Sequence, residues 1–262
     1  MDDSTARELI ALNSRFYAEH AASFSATRSA PWEGWRRVAD RAARALPPSD
    51  RELRVLDLAC GNLRFERFIE ADAVRPACID AVDNCDDLGR GALLPGVRYH
   101  SIDILEALIA GDGAGTDPFP QLAGARYDLC ACFGFMHHVP GARLRELVLE
   151  QLVERARPRG HIAVSFWQFM DDDRLARKAA ASLEATRTAP PWDGFDPNDL
   201  ERGDHLLGWQ GDADAYRYCH HFDEAEIDRL ARGVAEHAVE VDRFSADGAS
   251  HALNRYLVLQ KR

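Results

Sequence analysis

The chain opens with apolar positions recurring at helical spacing. They predict one helix over residues 6–20 and a second over residues 32–46, which Pro47-Pro48 would stop. The rhythm then changes. Short apolar runs at 54–58, 77–82, 97–102, 127–132 and 161–166 have strand length, and helical patterns at 63–70 and 142–156 lie between them. Strands alternating with helices in this way predict a parallel sheet covered on both faces, an α/β fold. From Trp167 to about Phe222 the pattern breaks. This stretch is polar, carries Pro190-Pro191 and Asp196-Pro197, and is too long for an ordinary connection. It is expected to be an inserted lid over a substrate pocket. A helix at 223–233 and two strands at 238–244 and 256–260 close the chain. No internal repeat or low-complexity segment is evident, so residues 1–262 are expected to form one domain, with 1–50 as a helical substrate-side segment.

Composition narrows the class. A chain of 262 residues with 46% hydrophobic content has enough apolar sequence for one sizeable core. The longest apolar stretches, such as 129–136, fall far short of the roughly 20 residues a bilayer span needs. The start, Met1-Asp2-Asp3-Ser4, is acidic, the wrong charge for a signal peptide, and the expected compartment is the cytoplasm. Cys60, Cys78, Cys85, Cys130, Cys132 and Cys219 contain no C-x-x-C pair and are expected to be reduced thiols. The spacings of the cysteines and of the two His-His pairs match no zinc motif, so no metal is expected. A net charge of −11 argues mildly against a large nucleic-acid surface, although Arg36, Arg37, Arg41 and Arg44 form a local basic cluster.

The candidate chemistry lies at the strand ends. Val55-Leu-Asp-Leu-Ala-Cys-Gly-Asn62 leads a buried strand into a turn without bulky side chains, where the Ala59, Cys60 and Gly61 backbone can approach a ligand. Asp57 beside it suits a ligand ammonium. The next strand ends at Asp83-Asn84, about 20 residues after the glycine turn, where a ribose diol would be gripped. The third ends at Asp103-Ile104, facing an adenine amino group. The fourth ends at Phe133-Gly134 on the same rim.

These residues resemble the class I S-adenosylmethionine (SAM)-dependent methyltransferases over about 54–166. The resemblance implies SAM as cofactor and a Rossmann-like, seven-stranded, mostly parallel sheet of order 3-2-1-4-5-7-6 with an antiparallel last strand. A nicotinamide enzyme would need G-x-G-x-x-G, and only Gly61 stands in that window. Leu63 departs from the family, which usually has its second glycine there. It is expected to narrow the turn or change its backbone angles, and it opens a non-catalytic, SAM-binding alternative.

A closer resemblance runs from about Phe16 to Tyr256. It rests on Phe24-Ser-Ala-Thr-Arg-Ser-Ala-Pro-Trp32, Met136-His-His-Val-Pro140, Ser165-Phe-Trp-Gln-Phe169, Gly203-Asp-His-Leu-Leu-Gly-Trp209, Tyr216-Arg-Tyr-Cys-His-His-Phe222 and Asn254-Arg-Tyr256. Together these look like the tRNA wobble-uridine carboxymethyl methyltransferases and their bacterial look-alikes, which convert 5-carboxymethyluridine to its methyl ester. The resemblance implies Arg28 and His138, with His137 beside it, as substrate-site residues. It also implies tRNA as partner, with a small activator protein assisting, as in the eukaryotic enzymes. The chemistry is compatible. A carboxylate with a pKa near about 4 is ionised at neutral pH and needs no general base. An Arg28 guanidinium would match it bidentately. The alternative acceptor is a small molecule, which the acidic charge suits. His220 and His221 are expected to be structural, and Tyr218 and Tyr256 to be core. Trp167 and Trp209 would stack on a base or pack the lid. Arg217 and Arg255 would meet an anion or bridge the lid.

Overall fold

A computed structural model describes residues 1–26, 30–45, 52–72, 77–86, 94–112, 115–209 and 212–262. Arg28 and Pro47-Pro48 lie outside the described residues. The elements in chain order are α1 (Asp3–Ala26), α2 (Glu33–Ala45), β1 (Leu53–Leu58), α3 (Arg64–Asp72), β2 (Ala77–Asp83), β3 (Val97–Ser101), α4 (Ile104–Gly111), β4 (Tyr127–Cys132), α5 (Ala142–Arg155), β5 (Ala156–Trp167), α6 (Asp173–Ala185), β6 (Asp204–Trp209), β7 (Asp212–His220), α7 (Glu224–Gly233), β8 (Ala238–Ala246) and β9 (Asn254–Lys261).

Seven strands form one sheet, β3-β2-β1-β4-β5-β9-β8. The pairs from β3 to β5 are parallel, and β9 runs antiparallel to both β5 and β8. Counted without β6 and β7, which pair only with each other, the order is the expected 3-2-1-4-5-7-6.

Period-two alternation sends neighbouring side chains to opposite faces, so a sheet covered on both sides needs apolar residues at nearly every position. Leu56, Leu58, Cys130, Cys132, Ile162 and Val164 pack toward α4, α5 and α7, while Val55, Leu129, Ala131 and Ala163 pack toward α2 and α3. All of β4 is buried. Cys130 and Cys132 act there as small hydrophobes, and burial pushes both thiols up.

The polar stretch at 167–222 is more ordered than its composition predicts. It holds α6 and the β6–β7 hairpin, which packs on α1 and α6. A buried ionic cluster bolts it to the core. Tyr218 Oη donates to Asp204 Oδ1 at 2.7 Å, and the His220 ring bridges Asp204 (2.6 Å) and Glu226 of α7 (2.8 Å). Arg145 of α5 pairs with Glu226 at 3.0 Å. Burial alone would lower the His220 pKa, but its hydrogen bonds to the two carboxylates prevail and raise it. His220 and Tyr218 are thus structural and core residues, as expected.

At the other edge Asp247 ties the last strands to α2. Its carboxylate accepts from Tyr256 Oη (2.6 Å), Asn254 Nδ2 (2.9 Å) and the Gly34 N–H (3.1 Å) in the first turn of α2. Gly34 is required for this approach, because a Cβ there would stand 2.8 Å from Tyr256 Oη and closer still to the ring. Gly34→Ala is expected to cost about 1–3 kcal/mol by overpacking, measured as a lower midpoint in denaturant unfolding monitored by tryptophan fluorescence.

Candidate active site

The connection after β1 sets the geometry. Ala59 and Cys60 N–H both donate to Val82 O of β2 (2.8 and 3.1 Å), and Gly61 N–H donates to Asp83 Oδ2 (2.9 Å). Cys85 N–H reaches the other Asp83 oxygen at 2.8 Å. Burial pushes the Asp83 carboxyl up and the backbone donors pull it back, leaving it above the usual range. The turn needs three left-handed residues, Ala59 (φ 69°), Gly61 (φ 55°) and Leu63 (φ 57°). Nothing lies within 4 Å of the position a Gly61 Cβ would take, so the backbone there stays open to a ligand.

Leu63 resolves the departure noted in the sequence. It adopts the left-handed conformation itself, and its side chain, 1% exposed, packs with Cys60 and Ala81 in the core. It does not line the cavity, so it does not narrow the ligand side of the turn.

A cavity of about 670 Å³ opens at the carboxyl ends of β1, β2 and β4. Open α/β sheets bind ligands at this switch point, and the volume falls within the roughly 300–1,000 Å³ of ligand pockets. Asp57, Ala59, Cys60, Gly61, Asp83, Asn84, Asp103, Ile104, Phe133, His137 and His138, all singled out from the sequence, line it together. Asp103 has a further task. It caps α4 by accepting from Glu106 N–H, and its Oδ2 accepts from Asn84 Nδ2 at 2.7 Å. That helix is absent from the sequence-based reading, although Asp103-Ile-Leu-Glu106 carries the cap signal.

The opposite wall comes from α1 and the insert. Asn13 and Tyr17 lie one turn apart on α1 and line the cavity. Asn13 binds the Tyr218 backbone in both directions, accepting from its N–H (2.8 Å) and donating to its carbonyl (3.2 Å). His138 Nδ1 is 2.9 Å from the same carbonyl. A carbonyl can only accept, so Nδ1 carries the proton, and in the neutral ring Nε2 accepts from Tyr17 Oη at 2.7 Å. Neither Asn13 nor Tyr17 was singled out from the sequence, yet a polar i, i+4 pair within an apolar stripe is the trace they leave. Arg217 of β7, 6% exposed, lines the cavity with its guanidinium 5.4–5.7 Å from the rings of Trp209, Trp167 and Phe16. Arg64 lines it too, over Trp32 and Trp35.

Among the described residues, His137, His138 and Cys219 bring three ligand-capable atoms within 4.8 Å of one another. Both His138 nitrogens are engaged as above, so a metal there would have to displace Tyr17 or the Tyr218 carbonyl. Also among the described residues, no helix is long and apolar enough to cross a membrane.

Residues 28–234 match a family model described as a methyltransferase domain. No match was found among curated protein sequences. Solved structures share the fold at low identity. A SAM-dependent methyltransferase from Methanosarcina mazei is 13% identical with a TM-score of 0.57, over 84% of this chain and 95% of that one. The SAM-bound amino pentose methyltransferase CalS10 of Micromonospora echinaspora is 17% identical with a TM-score of 0.54, over 93% and 96%. An S-adenosylmethionine-dependent methyltransferase from Listeria monocytogenes described as putative is 11% identical with a TM-score of 0.53, over 85% and 97%.

The sheet order, the cavity at the strand ends and the matched model define a methyltransferase. The chain belongs to the methyltransferase-domain family, and its sheet has the fold of the SAM-dependent methyltransferases among these solved structures.

Two opposed terms meet at Leu63. A left-handed leucine costs roughly 1–2 kcal/mol, whereas truncating a buried leucine costs about 2–5 kcal/mol. Burial wins, so Leu63→Gly is expected to destabilise the fold despite relieving the backbone. A raised unfolding midpoint in this variant would contradict the account.

Proposed function

We propose that this methyltransferase esterifies a carboxylate on its acceptor, and that the carboxylate belongs to a modified tRNA uridine of the 5-carboxymethyl type. The observation that carries the proposal is the state of His138. Its tautomer is fixed by the Tyr218 carbonyl and its remaining nitrogen is taken by Tyr17. With both ring nitrogens hydrogen-bonded, His138 therefore serves this wall as a positioning group rather than as a base. A hydroxyl or ammonium acceptor must lose a proton, whereas a carboxylate has none to lose. Arg64 and Arg217 bring positive charge to the cavity and suit an anionic acceptor. Arg28, outside the described residues, joins them on the strength of the family resemblance, which also points to tRNA and to a small activator protein.

The roles divide across the cavity. Asp83 with Asn84 would hold the cofactor ribose, Asp57 its ammonium, and Asp103 with Ile104 its adenine. The Ala59–Gly61 backbone and Phe133 would line its path. When bound, SAM supplies an electrophilic methyl group on a sulfonium. Tyr17, His138, Arg217 and the insert would hold the carboxylate in line and exclude water, positioning worth roughly 7–11 kcal/mol of barrier. His137, whose ring lies 4.9 Å from that of Trp167, would brace this wall.

The test is nucleoside mass spectrometry of tRNA carrying 5-carboxymethyluridine after incubation with labelled SAM. A labelled methyl-ester nucleoside, lost on mild alkaline treatment, is expected. Label confined to small metabolites in a parallel extract would refute the RNA acceptor. Hydrogen bonds to a charged group contribute about 1.5–3 kcal/mol. Asp83→Ala is therefore expected to weaken SAM binding roughly 10- to 100-fold. Tyr17→Phe should leave SAM affinity in place and lower turnover, both read by calorimetry and label transfer.

A further inference from the structure

Behind the β1 turn lies a pair of carboxyl groups that the proposed roles do not yet use fully. Asp57 is 2% exposed and lines the cavity. Glu66, in the first turn of α3, is 0% exposed and does not line it. Their carboxyl groups lie beside each other. Neither Glu66 oxygen nor Asp57 Oδ1 has a hydrogen-bond partner among the described residues. Buried carboxylates require such partners, and two of them cannot both ionise side by side in a dry interior. A single proton shared between them satisfies both.

The surroundings favour keeping that proton. Asp83 from β2 adds like charge to both groups, Cys60 lies in the turn between them, and the Cys132 thiol on the neighbouring strand β4 is within reach of the Asp57 charge. Arg67 on α3 is the opposing cation at Glu66. Burial is the largest cause for each group. It pushes Glu66 up to about 7 and Asp57 well above the usual carboxylate range.

We propose that Glu66 is a positioning residue for the cofactor: it shares one proton with Asp57, and uptake of the cationic cofactor expels that proton, leaving Asp57 ionised toward the ligand. The proposal rests on the cofactor's charged end seating at Asp57. No covalent bond changes, and the proton passes to solvent. SAM carries one more positive charge than S-adenosylhomocysteine, its product. Loss of the sulfonium charge therefore favours return of the proton and release of the product.

The sign follows from linkage. While the empty pair holds its shared proton, binding must displace it, so SAM affinity falls as pH falls; once the pair has lost that proton, affinity levels off.

The test is titration calorimetry of the whole protein with SAM and with S-adenosylhomocysteine from pH 5 to 7, below the ordinary titration of a ligand α-amino group near about 8. Two buffers of different ionisation enthalpy at each pH count the protons. For SAM the wild type should release up to one proton and lose affinity by up to about tenfold per pH unit on acidification. S-adenosylhomocysteine should release less. Glu66→Gln gives Asp57 a permanent amide donor, so SAM binding should become nearly independent of pH and of buffer. Circular dichroism checks that the variant is folded. If it is not, Asp57→Asn replaces it and should also lose the slope, with weaker binding. A wild type that binds SAM with no pH slope and no proton release overturns the proposal, as does a folded variant that keeps the slope. A wild type that fails to bind SAM at any pH instead overturns the placement of the cofactor in this cavity.

Discussion

Two backbone N–H groups converging on one carbonyl hold this site together. Ala59 and Cys60 both donate to Val82 O, which stops β1 from running on and turns the chain across the end of β2. Because β1 and β2 are in parallel register from Leu53↔Ala77 to Leu58↔Val82, the turn delivers Gly61 directly to the Asp83 carboxylate. Asp57 is then fixed one residue inside the strand end, and Asp83 is held by two backbone donors before any ligand arrives. Pre-oriented groups of this kind bind without the entropy loss of ordering flexible side chains. The left-handed residues are confined to the five positions 59–63, between β1 and α3.

The same economy appears on the opposite wall. Asn13 is paired with the Tyr218 backbone much as a neighbouring strand would be, so α1 and β7 behave as one rigid surface. Tyr17 and His138 are fixed on that surface by hydrogen bonds, and Arg217 is fixed by aromatic faces. The insert is in turn held by the Asp204–His220–Glu226–Arg145 cluster, in which each charge faces an opposite one. Removing one member of such a buried network is costly, because it strands the others. The cavity thus lies between an acidic wall built on strand ends and a cationic, aromatic wall built on a helix and a hairpin.

Much of this was legible in the residues because it depends on local rules. A buried strand followed by small residues announces the β1 turn, and acids at successive strand ends announce the rim. What stayed hidden depends on contacts distant in sequence. Asn13 and Tyr218 are 205 positions apart, and no local pattern pairs them. The insert's helix and hairpin escaped notice because they bury one face against α1 and the core, leaving a polar composition that resembles a loop. Leu63 was misjudged because a glycine was expected where the fold needs only a left-handed residue with a buried side chain. Glu66 was invisible because a glutamate in the first turn of a helix is ordinarily solvated and favoured by the helix dipole. Only the packing of α3 on β1 brings it beside Asp57.

The most direct test of the account is a crystal structure of the protein with S-adenosylhomocysteine. The account predicts the ligand across the ends of β1 and β2, its ribose hydroxyls on Asp83, its amino-acid end at Asp57 and Gly61, and its sulfur facing Tyr17 and His138. A ligand bound elsewhere, or one seated in the cavity without contact to Asp57 and Asp83, would contradict it.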